Sequence, residues 1–368
     1  VEEWRDAAAL GWKDGRTYCG DFSEAFVSPM SKRLLFITPK INDKDDDVAF
    51  AALWAKGFTD AGFDVTIICG EKGETSLPNV YSVEHKQGES RFGSLMRFWK
   101  LMFTLKYDRV FVHMNTRWLA AGALYWKLRG IPTYLWFTHY TNTATMKLGQ
   151  VAVTRFFCAT KDSLPHYEGD PRKIVTGHGI DTEYWNVPEL SEGERESSKH
   201  LLAVHRISRS KRLDIVLRAL ALLPAEYTLT HYGRPLDPSA DNNYQGEIES
   251  LVKDLGLTER VKFMGSVPMP SLREIYPRFR VFINLVPKTI DKSALEAMYC
   301  GLTPVIIQGH AEAIGYPDFP KDETPEAIAE FILGMRIHTR EELRSIVERG
   351  HSMKSLIAKM SSYIMPGK

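Results

Sequence analysis

No stretch of this 368-residue chain stays apolar for the ~18–20 residues that cross a bilayer; Lys127 interrupts the best of them. No membrane-spanning helix is expected. Gly-x-Gly-x-x-Gly does not follow the first strand-like segment, and Gly-x4-Gly-Lys-Ser/Thr is absent, which disfavours a dinucleotide oxidoreductase or a P-loop ATPase. Net charge is nearly missing: 47 Lys and Arg face 46 Asp and Glu, so no global positive field gathers nucleic acid. Cysteine is scarce. Cys19, Cys69, Cys158 and Cys300 lack Cys-x-x-Cys spacing and sit in or beside apolar segments. They read as reduced, buried thiols of a cytoplasmic protein. No basic-then-apolar leader opens the chain, which agrees with that location.

What is present is ordinary for a globular protein: 44% hydrophobic and 25% charged residues, over a length that suits about two domains. Residues 1–29 carry Trp4, Trp12, Tyr18, Phe22 and Phe26 but fit no repeating unit, and stand as an extension of unknown role. From Lys32, short apolar runs alternate with helical patterns. Arg33–Thr38 is too continuously apolar for a half-exposed strand and Asp64–Cys69 reads as a second buried one; Arg109–Met114, Thr133–Thr138, Arg155–Thr160 and Lys173–Gly177 continue the series of strands. The polar segment Pro188–Lys199 reads as a linker, after which the alternation restarts with His200–His205, Tyr227–His231, Val261–Met264, Arg280–Leu285 and Thr303–Ile307. Helical spacing spans Leu213–Leu223, Tyr244–Leu255, Ser293–Tyr299 and Pro325–Gly334, with one or two helices over Glu341–Ile364. Strands alternating with helices predict α/β architecture with parallel sheets. The expected parts are 30–190, 191–345 and a final helix, 346–368, packing back on the first domain. Two doubly wound domains leave a cleft between the carboxyl ends of their strands, where ligands bind.

Two constellations carry chemistry. Arg206 ends a buried strand and Lys211 opens the next helix, so two cations converge where an anion such as a pyrophosphate can sit. The competing reading is a solvated basic loop. Further on, a helix starts near Asp291, leaving the amides of Ser293 and Ala294 at the positive end of its dipole. Glu296, one turn inside, is within reach of ribose hydroxyls. The competing reading makes Asp291 an ordinary N-cap and Glu296 a surface residue.

Together, in this order, these pieces resemble family 4 glycosyltransferases of the GT-B fold. Gly177-His-Gly-Ile-Asp-Thr-Glu-Tyr-Trp185 matches the turn before the family's linker. Arg206 and Lys211 match its donor-diphosphate cations. Leu255-Gly-Leu-Thr-Glu-Arg-Val-Lys-Phe-Met-Gly265 matches the strand whose end, at Met264, approaches the base. Leu295-Glu-Ala-Met-Tyr-Cys-Gly-Leu-Thr-Pro-Val305 matches the Leu-Glu-Ala-Met signature, with one extra residue before proline. In the first half, Lys40–Asp47, Val112–Asn115, Leu135–His139 and Val175–Asp181 resemble a bacterial branch linked to surface polysaccharides.

The resemblance implies two Rossmann-like domains, a nucleoside-diphosphate sugar on the second and a glycan or lipid-linked acceptor on the first. It implies retention of anomeric configuration, without metal or other cofactor. His139 would orient the sugar. Asn42, Asp47, His113, Asn115 and His178 are acceptor-side or loop candidates. Three departures stand out: Lys288 where the family commonly has Glu, Asn42–Asp47 in place of a glycine-rich loop, and His205 in place of a glycine. Lys288 stays a donor-binding candidate, as a cation for a phosphate or a sugar carboxylate. A nucleotide-sugar epimerase and a degenerate donor-binding subunit are the rival readings. Finally, Arg91–Lys106 is aromatic and basic, without an acid. It suits either a sheet-covering helix or peripheral contact with an anionic membrane, at the inner face of the plasma membrane.

Overall fold

The computed structural model describes residues 32–43, 49–85, 89, 91–235, 243–287 and 289–365. Residues 1–29, Asp47 and Lys288 lie outside them. Seven strands form the first sheet: β1 (Arg33–Ile41), β2 (Asp64–Lys72), β3 (Val80–Ser82), β4 (Arg109–His113), β5 (Thr133–Trp136), β6 (Val153–Cys158) and β7 (Lys173–Val175). Their order is β3-β2-β1-β4-β5-β6-β7. The second sheet joins β8 (His200–Val204), β9 (Thr228–Tyr232), β10 (Val261–Phe263), β11 (Val281–Asn284) and β12 (Thr303–Ile306) in the order β10-β9-β8-β11-β12. Every described pairing of these strands is parallel. The expected α/β architecture of two Rossmann-like domains is what forms.

The continuous apolar runs explain why. β4 and β5 are buried along their whole length, because helices cover both faces of the sheet. On one side Phe36, Trp54, Phe58 and Phe111 pack together; on the other Phe98, Trp118, Trp126 and Phe156 do so. Cys69, Cys158 and Cys300 are buried free thiols. No described helix is long and apolar enough to cross a membrane.

Three boundaries differ from expectation. Ile180, Trp185 and Val187 already belong to the second domain's core, ahead of the expected start at 191. Pro188–Lys199 is no free linker. Arg195 donates to the carbonyls of Phe279 and Gly301 at 3.0 Å, and Glu192 pairs with Arg280, so the segment is strapped to the second domain. The terminal break falls at His351–Ser352 rather than at 345/346. Helix Arg340–Gly350 stays on the second domain, with Leu343 and Val347 in its core. Helix Met353–Ile364 returns to the first domain, where Leu356, Ile357 and Met360 join the core around Trp54. The crossing is pinned where the amide of Ile180 donates to His351 O at 2.9 Å and that of Met353 to Ile180 O at 2.8 Å. Strand β3 and the helices Ala144–Gly149, Met269–Ile275 and Gln308–Ile314 were not anticipated; all are too short for a periodic signal.

Candidate active site

Each sheet reverses its strand order once, between β1 and β4 and between β8 and β11. Connections leave such neighbours in opposite directions, and a crevice opens at their carboxyl ends. Asn42 and Asp43 follow β1 and His113 ends β4; Lys211 follows β8, and Asp291, Ser293 and Glu296 follow β11. These residues therefore lie at two switch points, whereas Met264 follows the edge strand β10 and His139 follows β5. Between the domains lies a cavity of about 300 Å³, lined among others by Asp43, Lys56, Asp181, Tyr184, Lys292 and Glu296.

The second-domain wall is built around an ion pair. Lys211 Nζ bonds Asp291 Oδ2, and each side chain is 17% exposed. Asn284, fully buried at the end of β11, donates to the same carboxylate at 3.0 Å; its own Oδ1 accepts from the amide of Val286 at 3.1 Å. The Asp291 amide donates to the buried His310 Nε2 at 3.3 Å. Burial alone would raise the Asp291 pKa, but Lys211 and Asn284 outweigh it and hold the carboxyl below its usual range. Asp291 occupies the N-cap position of helix Lys292–Tyr299, yet its side chain caps no amide. The competing reading of Asp291 as an ordinary N-cap holds for its position but not for its side chain: the carboxylate turns to Lys211, which outcompetes a backbone amide because it carries full charge.

Glu296 faces the cavity. Burial pushes its pKa up to about 7, Lys292 one turn away opposing and Asp291 adding to the rise. The surface-residue reading of Glu296 does not hold. Arg206, by contrast, is exposed, and no side-chain contact of Arg206 is described. The backbone beneath it is tightly held. Gly233 has φ +146°, and a Cβ there would meet His205 O at 1.9 Å, so only glycine lets the β9 loop pass under the β8 loop. His205 is buried with Nδ1 3.1 Å from Arg206 O and 3.4 Å from His231 Nε2. Met264 is exposed at the end of β10.

On the first-domain side, His113 is buried among Phe36, Trp54 and Trp136, its Nδ1 3.2 Å from Thr38 Oγ1. Burial, with help from His178 and Lys292, lowers its pKa to about 3, so the ring is neutral. His178 is likewise lowered to about 3 by burial and Lys292, and its ring meets Trp136 edge-on at 5.3 Å. Lys292 thus lies within electrostatic reach of both histidines across the cleft. Asn115 turns out to be a helix cap, accepting from the Trp118 amide at 3.1 Å rather than facing the cavity. His139 is exposed and touches Phe137, with ring centroids 5.2 Å apart. Asn42 is half-buried against Gly73. Asp43 was passed over in the sequence. It accepts from Thr75 Oγ1 and from the Ser76 amide and hydroxyl at 2.8–3.0 Å. Lys56 and Lys292 were also missed; a lone lysine on a helix carries no signal until the fold aims it.

The two facing parallel-sheet domains are the GT-B arrangement. Residues 198–335 match the family model for Glycosyl transferases group 1. A curated relative, the D-inositol 3-phosphate glycosyltransferase of Mycobacterium marinum, is 29% identical over 163 residues. That alignment takes in 42% of this chain and 33% of the relative, so the chain spans about a third of the relative's length. Among solved structures, Anabaena Alr3699/HepE in complex with UDP superposes with a TM-score of 0.71 at 14% identity, covering 90% of this chain and 99% of that one. A glycosyltransferase from Rickettsia africae gives 0.69 at 15%, covering 90% and 97%. WaaG, described as a glycosyltransferase of lipopolysaccharide biosynthesis, gives 0.64 at 15%, covering 91% and 100%. At such identities the structural likeness establishes the fold.

Proposed function

We propose that this protein is a nucleotide-sugar-dependent glycosyltransferase that retains anomeric configuration and needs no metal. The carrying observation is the convergence of Lys211, Glu296 and the uncapped start of helix Lys292–Tyr299 at the second domain's switch point, within the stretch matching Glycosyl transferases group 1. Lys211 and the exposed Arg206 would hold the donor diphosphate and stabilise charge developing on it as the sugar leaves. Ser293 would offer its amide to a phosphate, whereas the amide expected from Ala294 already donates to Asp291 O at 3.1 Å; Glu296 would accept from ribose hydroxyls, and the base would lie toward Met264. His139 would orient the sugar. Lys292, facing the neutral His113 and His178, adds a cation beside the transferring group. The acceptor, a surface glycan or its lipid-linked precursor, would enter from the first domain on the cytoplasmic side. UDP and UDP-glucose complexes of the Anabaena relative support a nucleotide-sugar donor.

One observation favours a second reading, a donor-binding subunit without activity: Lys211 is already engaged by Asp291. The same experiment separates the two. Thermal unfolding of wild type and Arg206→Ala is followed with UDP, GDP, ADP, CMP, dTDP and their sugars, since a ligand at ~100 times its Kd adds about 2.7 kcal/mol. A shift with one nucleotide series, absent in the variant, supports the donor site. Transfer to acceptor from that donor then supports the enzyme, and its lack the subunit. No shift with any nucleotide refutes both.

A further inference from the structure

The net charge of +1 hides a strong asymmetry. Residues 91–161 hold eleven Lys and Arg against one acid, Asp108, and Asp108 is paired with Arg33. The rest of the chain is correspondingly acidic. Helices Arg91–Thr104 and Thr116–Leu128, both within this segment, lie side by side: Trp99 Nε1 donates to Ala121 O at 3.0 Å, and Phe103 meets Tyr125 edge-on at 5.0 Å.

Each helix buries one face and leaves an apolar stripe on the other. Ser94, Phe98 and Met102 cover the sheet, which accounts for part of the aromatic content of the first helix. Phe92, Met96 and Phe103, spaced i, i+4 and i+11, fall within about 60° of one another on the outer side. Phe92 and Phe103 are 59% and 58% exposed. On the neighbouring helix Leu124 and Leu128 are 70% and 77% exposed. Around them Lys100, Lys106, Arg117, Lys127 and Arg129 are exposed and form no ion pair among the described residues.

We propose that this two-helix face docks on the surface of an anionic lipid bilayer. Apolar side chains that project from a basic surface suit the headgroup–acyl boundary, where burial of the rings and attraction to lipid phosphates add. A second copy of the chain fits less well, because face-to-face contact would press two positive surfaces together. The surface carries this inference whether or not the donor site is as proposed above. Docked this way, the first domain would bring its end of the cleft to lipid-linked acceptors.

The test is co-sedimentation of the full chain with vesicles of phosphatidylcholine alone or with roughly one-third phosphatidylglycerol. Two double variants accompany it, Leu124→Glu with Leu128→Glu, and Lys100→Glu with Lys127→Glu. All four side chains are exposed, and circular dichroism checks that the variants fold. Wild type is expected to pellet with the anionic vesicles only, less so as salt rises. Each variant should bind at least ~tenfold more weakly. Equal binding to neutral vesicles, or wild-type binding by both folded variants, overturns the proposal. So does a failure to bind anionic vesicles, including one accompanied by a concentration-dependent dimer that the leucine variant abolishes.

Discussion

Removing Lys211 should destabilise the protein more than removing any exposed lysine, and in a pH-dependent way. Lys211→Met leaves the Asp291 carboxylate with Asn284 as its described side-chain donor, at 3.0 Å, in a site where both members of the pair are 17% exposed. Breaking a buried pair costs about 3–5 kcal/mol; the residual exposure admits water and places this one at about 3 kcal/mol. Asp291→Asn keeps shape and an acceptor for Lys211, and should cost about 1–2 kcal/mol. The double variant should cost less than the two singles added, because each single strands a partner that the double removes. In wild type the Asp291 pKa is depressed, so its contribution is present above the unfolded carboxylate value of about 3.9 and is lost as pH falls toward the folded value. In Lys211→Met the sign reverses. Burial then dominates, the folded pKa rises, and stability grows as pH is lowered from 8 to 5. Urea unfolding at pH 5, 6.5 and 8 for the four proteins reads all of this. Additive single effects, or a Lys211→Met stability within about 0.5 kcal/mol of wild type at pH 8, would refute the reasoning.

Four other outcomes follow from the same geometry. A diphosphate reaching Lys211 must share it with Asp291, so Asp291→Asn should bind nucleoside diphosphates severalfold more tightly than wild type in calorimetry. Glu296 titrates near 7 in the folded protein, above its unfolded value. Its contribution is therefore fully present below the unfolded pKa and lost as pH rises through about 7, so Glu296→Gln should gain about 1–2 kcal/mol over wild type at pH 8 and little at pH 5. Gly233→Ala drives a methyl into the His205 carbonyl and should lower the thermal midpoint by several degrees and weaken nucleotide binding. Met360→Ala, at a fully buried position of the returning helix, should cost about 2–4 kcal/mol in urea unfolding.

The alternation of apolar runs with helical spacing was enough to establish two parallel α/β sheets, because strands covered on both faces must be continuously apolar. Arg33–Thr38 and Asp64–Cys69 announced themselves in this way. The helix Pro325–Gly334 could be read to the residue, since Thr324 and Pro325 mark its start. Lys211, Glu296 and the start of the helix near Asp291 were also legible, as motif residues at strand ends. Tertiary structure decided the rest. Whether Asp291 caps its helix or pairs with Lys211, 80 residues earlier, depends on where β8 and β11 lie side by side. Asn115 and His113 look alike as strand-end polar residues; packing made one a cap and put the other among aromatic rings. Asp43, Lys56 and Lys292 gained meaning only when two domains faced each other across one cavity. Charge, burial and pairing at a site are properties of neighbours brought together from distant parts of the chain, and a local pattern does not contain them.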